Sequence, residues 1–131
     1  MEAEILSLAD YAKDEGGKLT IVGVFSSINS HQFPCAHSFY LVGRFRFEPD
    51  EKWFDTITVR AYSEKDKENL FPEFVGSVNN LQGEKNKGAA LNFVLCFNPL
   101  KFESEGLYYF EVSTNTGFVS RIPLKVNFVE G

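Results

Sequence analysis

The sequence predicts an all-β protein, a single antiparallel β-sandwich of seven or eight strands, and three observations carry that prediction. Apolar residues recur with a period of two rather than 3.6, as they do on half-buried strands. Clusters of Gly, Pro, Asn and Asp punctuate these runs at short intervals. Aromatic residues reach 15%, with 14 Phe, 5 Tyr and 1 Trp, the residue types that suit a pleated surface. At 131 residues the chain is one domain, 1–131, large enough to build a core without disulfides or metals. Hydrophobic residues at 44% and charged residues at 24% exclude a disordered tail, a coiled coil and a collagenous chain.

The elements follow in order. An opening strand spans about residues 4–12, and Asp14-Glu15-Gly16-Gly17 turns it into a second strand, Lys18–Ser26. In the third, Phe39, Leu41, Phe45 and Phe47 alternate with Tyr40, Val42, Arg44 and Arg46. Glu48-Pro49-Asp50-Glu51 separates it from a fourth, where Ile57, Val59 and Ala61 alternate with Thr58, Arg60 and Tyr62. A polar connection containing Asn79, Asn80, Gly83 and Gly88 leads to Ala89–Phe97. Leu107–Thr114 and a closing strand with Ile122, Leu124, Val126 and Phe128 on one face form a hairpin through Asn115-Thr116-Gly117. Residues 27–38 and 63–70 read as the longest irregular stretches.

Between these last elements, Phe102 to Val112 contains Gly106-Leu107-Tyr108-Tyr109-Phe110, the pattern of an immunoglobulin-like sandwich corner. A Tyr there starts the next strand and bonds back to the corner backbone. The Cys…Trp…Cys spacing of antibody-type domains is absent, since Cys35 falls in a loop and Trp53 at a turn. Leu8-Ala9-Asp10-Tyr11-Ala12, Gly17-Lys18-Leu19-Thr20-Ile21-Val22-Gly23-Val24-Phe25 and Phe33-Pro34 with His37 open the chain. Gly106, Tyr108, Phe110 and Val112, then Ile122, Pro123, Leu124 and Val126, close it. Together they resemble a bacterial family of small single-domain proteins of unknown function. The resemblance spans nearly the whole chain and implies a β-sandwich in an intracellular bacterial setting. It implies no activity and no functional residues.

Thirteen basic against eighteen acidic side chains give a net charge of −5, which disfavours nucleic acid as a partner. No run of apolar residues is long enough to span a membrane, and Met1-Glu2-Ala3-Glu4 lacks the basic and apolar regions of a secretory signal. Cys35 and Cys96 are compatible with reduced thiols, so the expected location is cytoplasmic. Phosphate loops, dinucleotide fingerprints, nucleophile elbows and His-Glu-x-x-His are all missing, so no enzyme and no cofactor is expected.

Three groups of residues merit weighing. His31, Cys35 and His37 gather within seven positions, and a thiolate with two imidazoles suits zinc, with Cys96 as a conceivable fourth ligand. The spacing matches no strong zinc pattern, and a loop shaped by Pro34 explains it more simply; a Cys–His nucleophile pair is weaker still. Arg44, Arg46 and Arg60 all fall on outward positions, and a hairpin between their strands would place them on one face. Such a face needs carboxylates, a bound anion or an acidic partner, with internal neutralisation the commoner solution. Aromatics outside the strand pattern (Phe33, Trp53, Phe54, Phe71, Phe74, Phe102, Phe118) either plug the sandwich ends or form a surface patch. Trp53 with Tyr62 is the candidate platform for a ligand. Asp10 is the one carboxylate inside an apolar strand, and Leu19–Phe25 is apolar on both faces, so it is either covered on both or lies in an oligomer interface, with a homodimer the expectation.

The expected function is a non-catalytic module that binds a protein partner through a sheet face or loop end. Its alternatives are a carbohydrate-type small-ligand binder and a phage- or envelope-associated structural protein.

Overall fold

A computed structural model describes residues 1–48, 56–77 and 90–130. Its nine described strands are β1 (Glu2–Glu15), β2 (Lys18–Phe25), β3 (Ser27–Ser30), β4 (Cys35–Arg46), β5 (Thr56–Ser63), β6 (Phe74–Ser77), β7 (Ala90–Phe102), β8 (Gly106–Thr114) and β9 (Val119–Phe128). They form two sheets, one of order β2-β1-β4-β7 and one of order β3-β9-β8-β5-β6. Every pairing is antiparallel except β3 with β9, which is parallel. Described residues contain no helix long and apolar enough to cross a membrane.

The period-two pattern translates directly into a core between the sheets. Phe39, Leu41, Phe45 and Phe47 from one sheet meet Ile57, Val59, Ala61, Phe110, Val112, Leu124 and Val126 from the other, all at most 7% exposed. Phe39 is the hub. Its ring lies 5.6 Å from Phe25, 5.2 Å from Phe97, 5.8 Å from Phe110 and 6.4 Å from Phe102. Aromatic pairs of this kind add about 0.5–1.5 kcal/mol each beyond their area burial, which is where much of the phenylalanine excess goes. The expected corner also forms: the Tyr108 hydroxyl donates to the Ser104 carbonyl at 2.5 Å.

Several sequence expectations need correction. Strands β4 and β5 do not form a hairpin but lie in opposite sheets; alternation fixes which face a residue takes, not which strand it pairs with. The stretch 27–38 is not irregular, because Ser27–Ser30 pairs with β9 and β4 begins at Cys35. Phe102 is fully buried at the end of β7, whereas Phe128, expected in the core, is 49% exposed at the end of β9. Of the other loop aromatics, Phe33, Phe71 and Phe118 pack against the core and Phe74 is exposed; Trp53 and Phe54 lie outside the described residues.

The β1–β2 hairpin closes with a two-residue loop in which Gly16 (φ 61°) and Gly17 (φ 86°) both take the left-handed backbone that such loops need. It then folds back. Asn92 on β7 is opposite Arg44, and Arg44 is opposite Ile5. Asp14 lies nine positions beyond Ile5, roughly 30 Å away in a straight strand. Yet the Asn92 side-chain amide donates to the Gly17 carbonyl at 3.0 Å, so the hairpin tip returns over the outer face of the sheet. Gly23 (φ 70°) lies between the Ala9–Val24 and Tyr11–Val22 pairs and supplies a kink. Ala9, Ala12 and Val42 are buried without belonging to the inter-sheet core, a second small apolar layer consistent with this cover. The apolar strand Leu19–Phe25 thus covers part of its own sheet, while Val22 and Val24 stay exposed.

Candidate functional site

On the outer face of the four-stranded sheet, Arg44 and Arg46 converge on one carboxylate. Glu4 is the extra residue of a β-bulge, since Ala3 is opposite Phe45 and Ile5 is opposite Arg44. The bulge re-aims its side chain between the two guanidinium groups. Arg44 Nε donates to Glu4 Oε1 at 2.8 Å and Arg46 Nε to Oε2 at 2.6 Å. Hydrogen bonds from Arg46 and then Arg44 hold the Glu4 carboxyl below its ordinary pKa, and the same carboxylate raises that of Arg46. Arg44 also donates to the Asn92 side-chain carbonyl at 2.8 Å, and Asn92 in turn holds Gly17. This pair pins the returning hairpin rather than presenting an open anion site.

Arg60 lies on the other sheet, so the three arginines predicted for one face are split two and one. Its neighbours form a different constellation on the outer face of the five-stranded sheet. Register places Arg60 of β5 opposite Glu111 of β8, and Glu111 opposite Arg121 of β9; the next row places Tyr62 opposite Tyr109. Arg60 Nε donates to Glu111 Oε2 at 2.7 Å, which raises the guanidinium pKa, and its guanidinium carbon lies 4.8 Å from the centre of the Tyr62 ring. Arg121 stacks over Tyr109 at 4.3 Å and donates to the Tyr62 hydroxyl at 3.1 Å. That hydrogen bond raises the Arg121 pKa too, so the group stays charged. The tyrosine rings sit 5.9 Å apart.

Two arginines and one glutamate give the cluster a net charge of +1 on an otherwise acidic protein. Arg44, Arg46 and Arg60 each contact a carboxylate. Arg121 alone among the four makes no salt bridge to a described residue; its partners are a phenol and a ring. Tyr62 is only 6% exposed beneath the two guanidinium groups, so it offers no open ring for stacking a sugar. Its proposed companion, Trp53, lies outside the described residues.

The His31, Cys35 and His37 group disperses. His31 Nδ1 bonds the Val129 carbonyl at 3.2 Å, Cys35 packs against the core, and His37 lines a cleft at the seam between the sheets. Cys96 is exposed on β7, opposite Tyr40, where its hydrogen bond and charge raise the phenol pKa. No group of three or more His, Cys, Asp or Glu suited to a metal ion occurs among the described residues.

Sequence reasoning reached Arg60 and Tyr62 but missed Glu111, Tyr109 and Arg121. The signal was present, because counting back from the Asn115-Thr116-Gly117 turn puts Glu111 opposite Arg121. Glu4 had no such signal, since a bulge breaks the alternation that would have located it. The chain matches no curated protein. Over residues 4–127 it matches DUF6941, a family of unknown function, and the chain belongs to that family.

Proposed function

We propose that the chain is a non-catalytic module that binds a protein partner through the outer face of the five-stranded sheet. The observation that carries this reading is Arg121: a guanidinium held over the Tyr109 ring, bonded to the Tyr62 hydroxyl, and without a carboxylate in contact among the described residues. Tyrosine and arginine dominate the energetics of protein interfaces, and the planar guanidinium fork suits an acidic side chain. Rings and guanidinium groups fixed on a sheet lose little side-chain freedom on binding. The test is affinity capture from native-host lysate, read by mass spectrometry, with wild type beside Arg121→Glu. A partner retained by wild type and lost by the variant supports the reading; equal capture contradicts it.

A homodimer is a second reading, favoured by Val22 and Val24, 53% and 65% exposed on β2 at the end of its sheet order. It requires a mass twice 14.8 kDa at micromolar concentration. The proposal includes a cytoplasmic setting, supported by two free thiols at Cys35 and Cys96. It also includes an immunoglobulin-like relationship, supported by the Tyr108 corner bond.

A further inference from the structure

We infer that the cleft at the bend of the β1–β2 hairpin is a binding site for a small organic ammonium ion. The cleft, about 240 Å³, opens at the seam where the chain leaves β2 and enters β3. Asp10 stands at its wall. A Cβ on Gly23 would fall 2.3 Å from Asp10 Oδ2, so glycine at position 23 is what lets the carboxylate sit there. Asp10 makes no hydrogen bond or salt bridge to a described residue, and neither does the His37 side chain across the cleft. Ser27 completes the polar lining, and two further groups are already engaged: Ser38 Oγ donates to Asn98 Oδ1 at 2.9 Å, and Asn29 Oδ1 accepts from Asn127 at 3.1 Å.

What the site offers is therefore the exposed, unpartnered Asp10 carboxylate and the half-buried His37 imidazole beside the half-buried ring of Phe25, whose edge-to-face partner Phe39 is buried in the core. A carboxylate beside an aromatic ring is the chemistry that selects a nitrogen cation on a short apolar stem. Among the described residues no lysine or arginine lines the cleft to hold an anion, and none of them supplies a third ligand that a metal ion would need. The volume, equal to that of about eight waters in the liquid, limits the ligand to a few carbons. The cleft shares none of its lining residues with the Tyr–Arg face, and the inference stands or falls without it.

The experiment titrates three probes of matched size, butylammonium, 1-butanol and butyrate, against the full chain and follows its backbone and side-chain NMR signals. Butylammonium is expected to saturate shifts at Asp10, Gly23 and His37, with 1-butanol and butyrate giving none of comparable size. Asp10→Asn is expected to lower butylammonium affinity about tenfold or more, with the remaining spectrum unchanged. N-acetyl-lysinamide then separates the two sources of such a group: tighter binding than butylammonium identifies a lysine side chain of a peptide, weaker binding a free amine. Equal shifts with 1-butanol, shifts that do not saturate, or an Asp10→Asn variant that binds as wild type would overturn the assignment.

Discussion

The outer faces of the two sheets each carry two arginines, yet the surroundings of those arginines differ. On the four-stranded sheet both guanidinium groups close on Glu4, and Asn92 extends the network to the hairpin tip. Those charges are spent on holding the chain to itself. On the five-stranded sheet a single carboxylate, Glu111, contacts Arg60, while Arg121 rests on the Tyr109 ring, bonds the Tyr62 hydroxyl and keeps its charge without a salt bridge to the described residues. Equal arginine counts thus describe a structural clasp on one side and, on the other, an arginine without a carboxylate in contact among the described residues, the face we propose for a partner. The reach of one carboxylate decides between them: a bulge delivers Glu4 to two arginines, whereas Glu111, opposite both Arg60 and Arg121 in the register, makes its salt bridge to Arg60.

The largest expected effect removes the basis of the comparison, because both faces rest on one core. Phe39→Ala deletes the ring against which Phe25, Phe97, Phe102 and Phe110 pack. It is expected to cost about 3–5 kcal/mol in urea denaturation. A smaller effect sharpens the comparison on the five-stranded side. Glu111→Gln leaves Arg60 with a neutral partner and is expected to cost about 1 kcal/mol, since the pair is partly exposed.

The clasp on the other side is tested by pH. Glu4 has a lowered folded pKa, so its contribution is full above the ordinary glutamate value of about 4.3 and fades as the pH falls through the lowered folded value. Denaturation midpoints of wild type and Glu4→Gln should therefore differ at pH 7 and converge in acid. A difference that persists below the folded pKa would remove Glu4 from the clasp.

How far these faces could be read in advance follows from the same contrast. Residues obeying strict alternation were legible: Phe39, Leu41, Phe45 and Phe47 point inward, Arg44, Arg46 and Arg60 outward, and Tyr108 forms its corner. Partnership across strands was not, because a period of two assigns a face and says nothing about which sheet a strand joins. That is why Arg60 was grouped with Arg44 and Arg46 rather than with Arg121. The folded-back hairpin was hidden for a related reason. Its bend depends on the backbone of Gly23, and its cover of Ala9 and Val42 reads in sequence only as a strand apolar on both sides.

The measurement closest to the central claim compares the two faces directly. Tyr109→Ala/Arg121→Glu alters the five-stranded face, and Arg44→Ala/Arg46→Ala alters the clasp. Both are passed, with wild type, through the same affinity capture after circular dichroism has established that each is folded. A partner lost by the first variant and kept by the second is the predicted result. Retention by the first and loss by the second would contradict the account and move the contact surface to the other sheet.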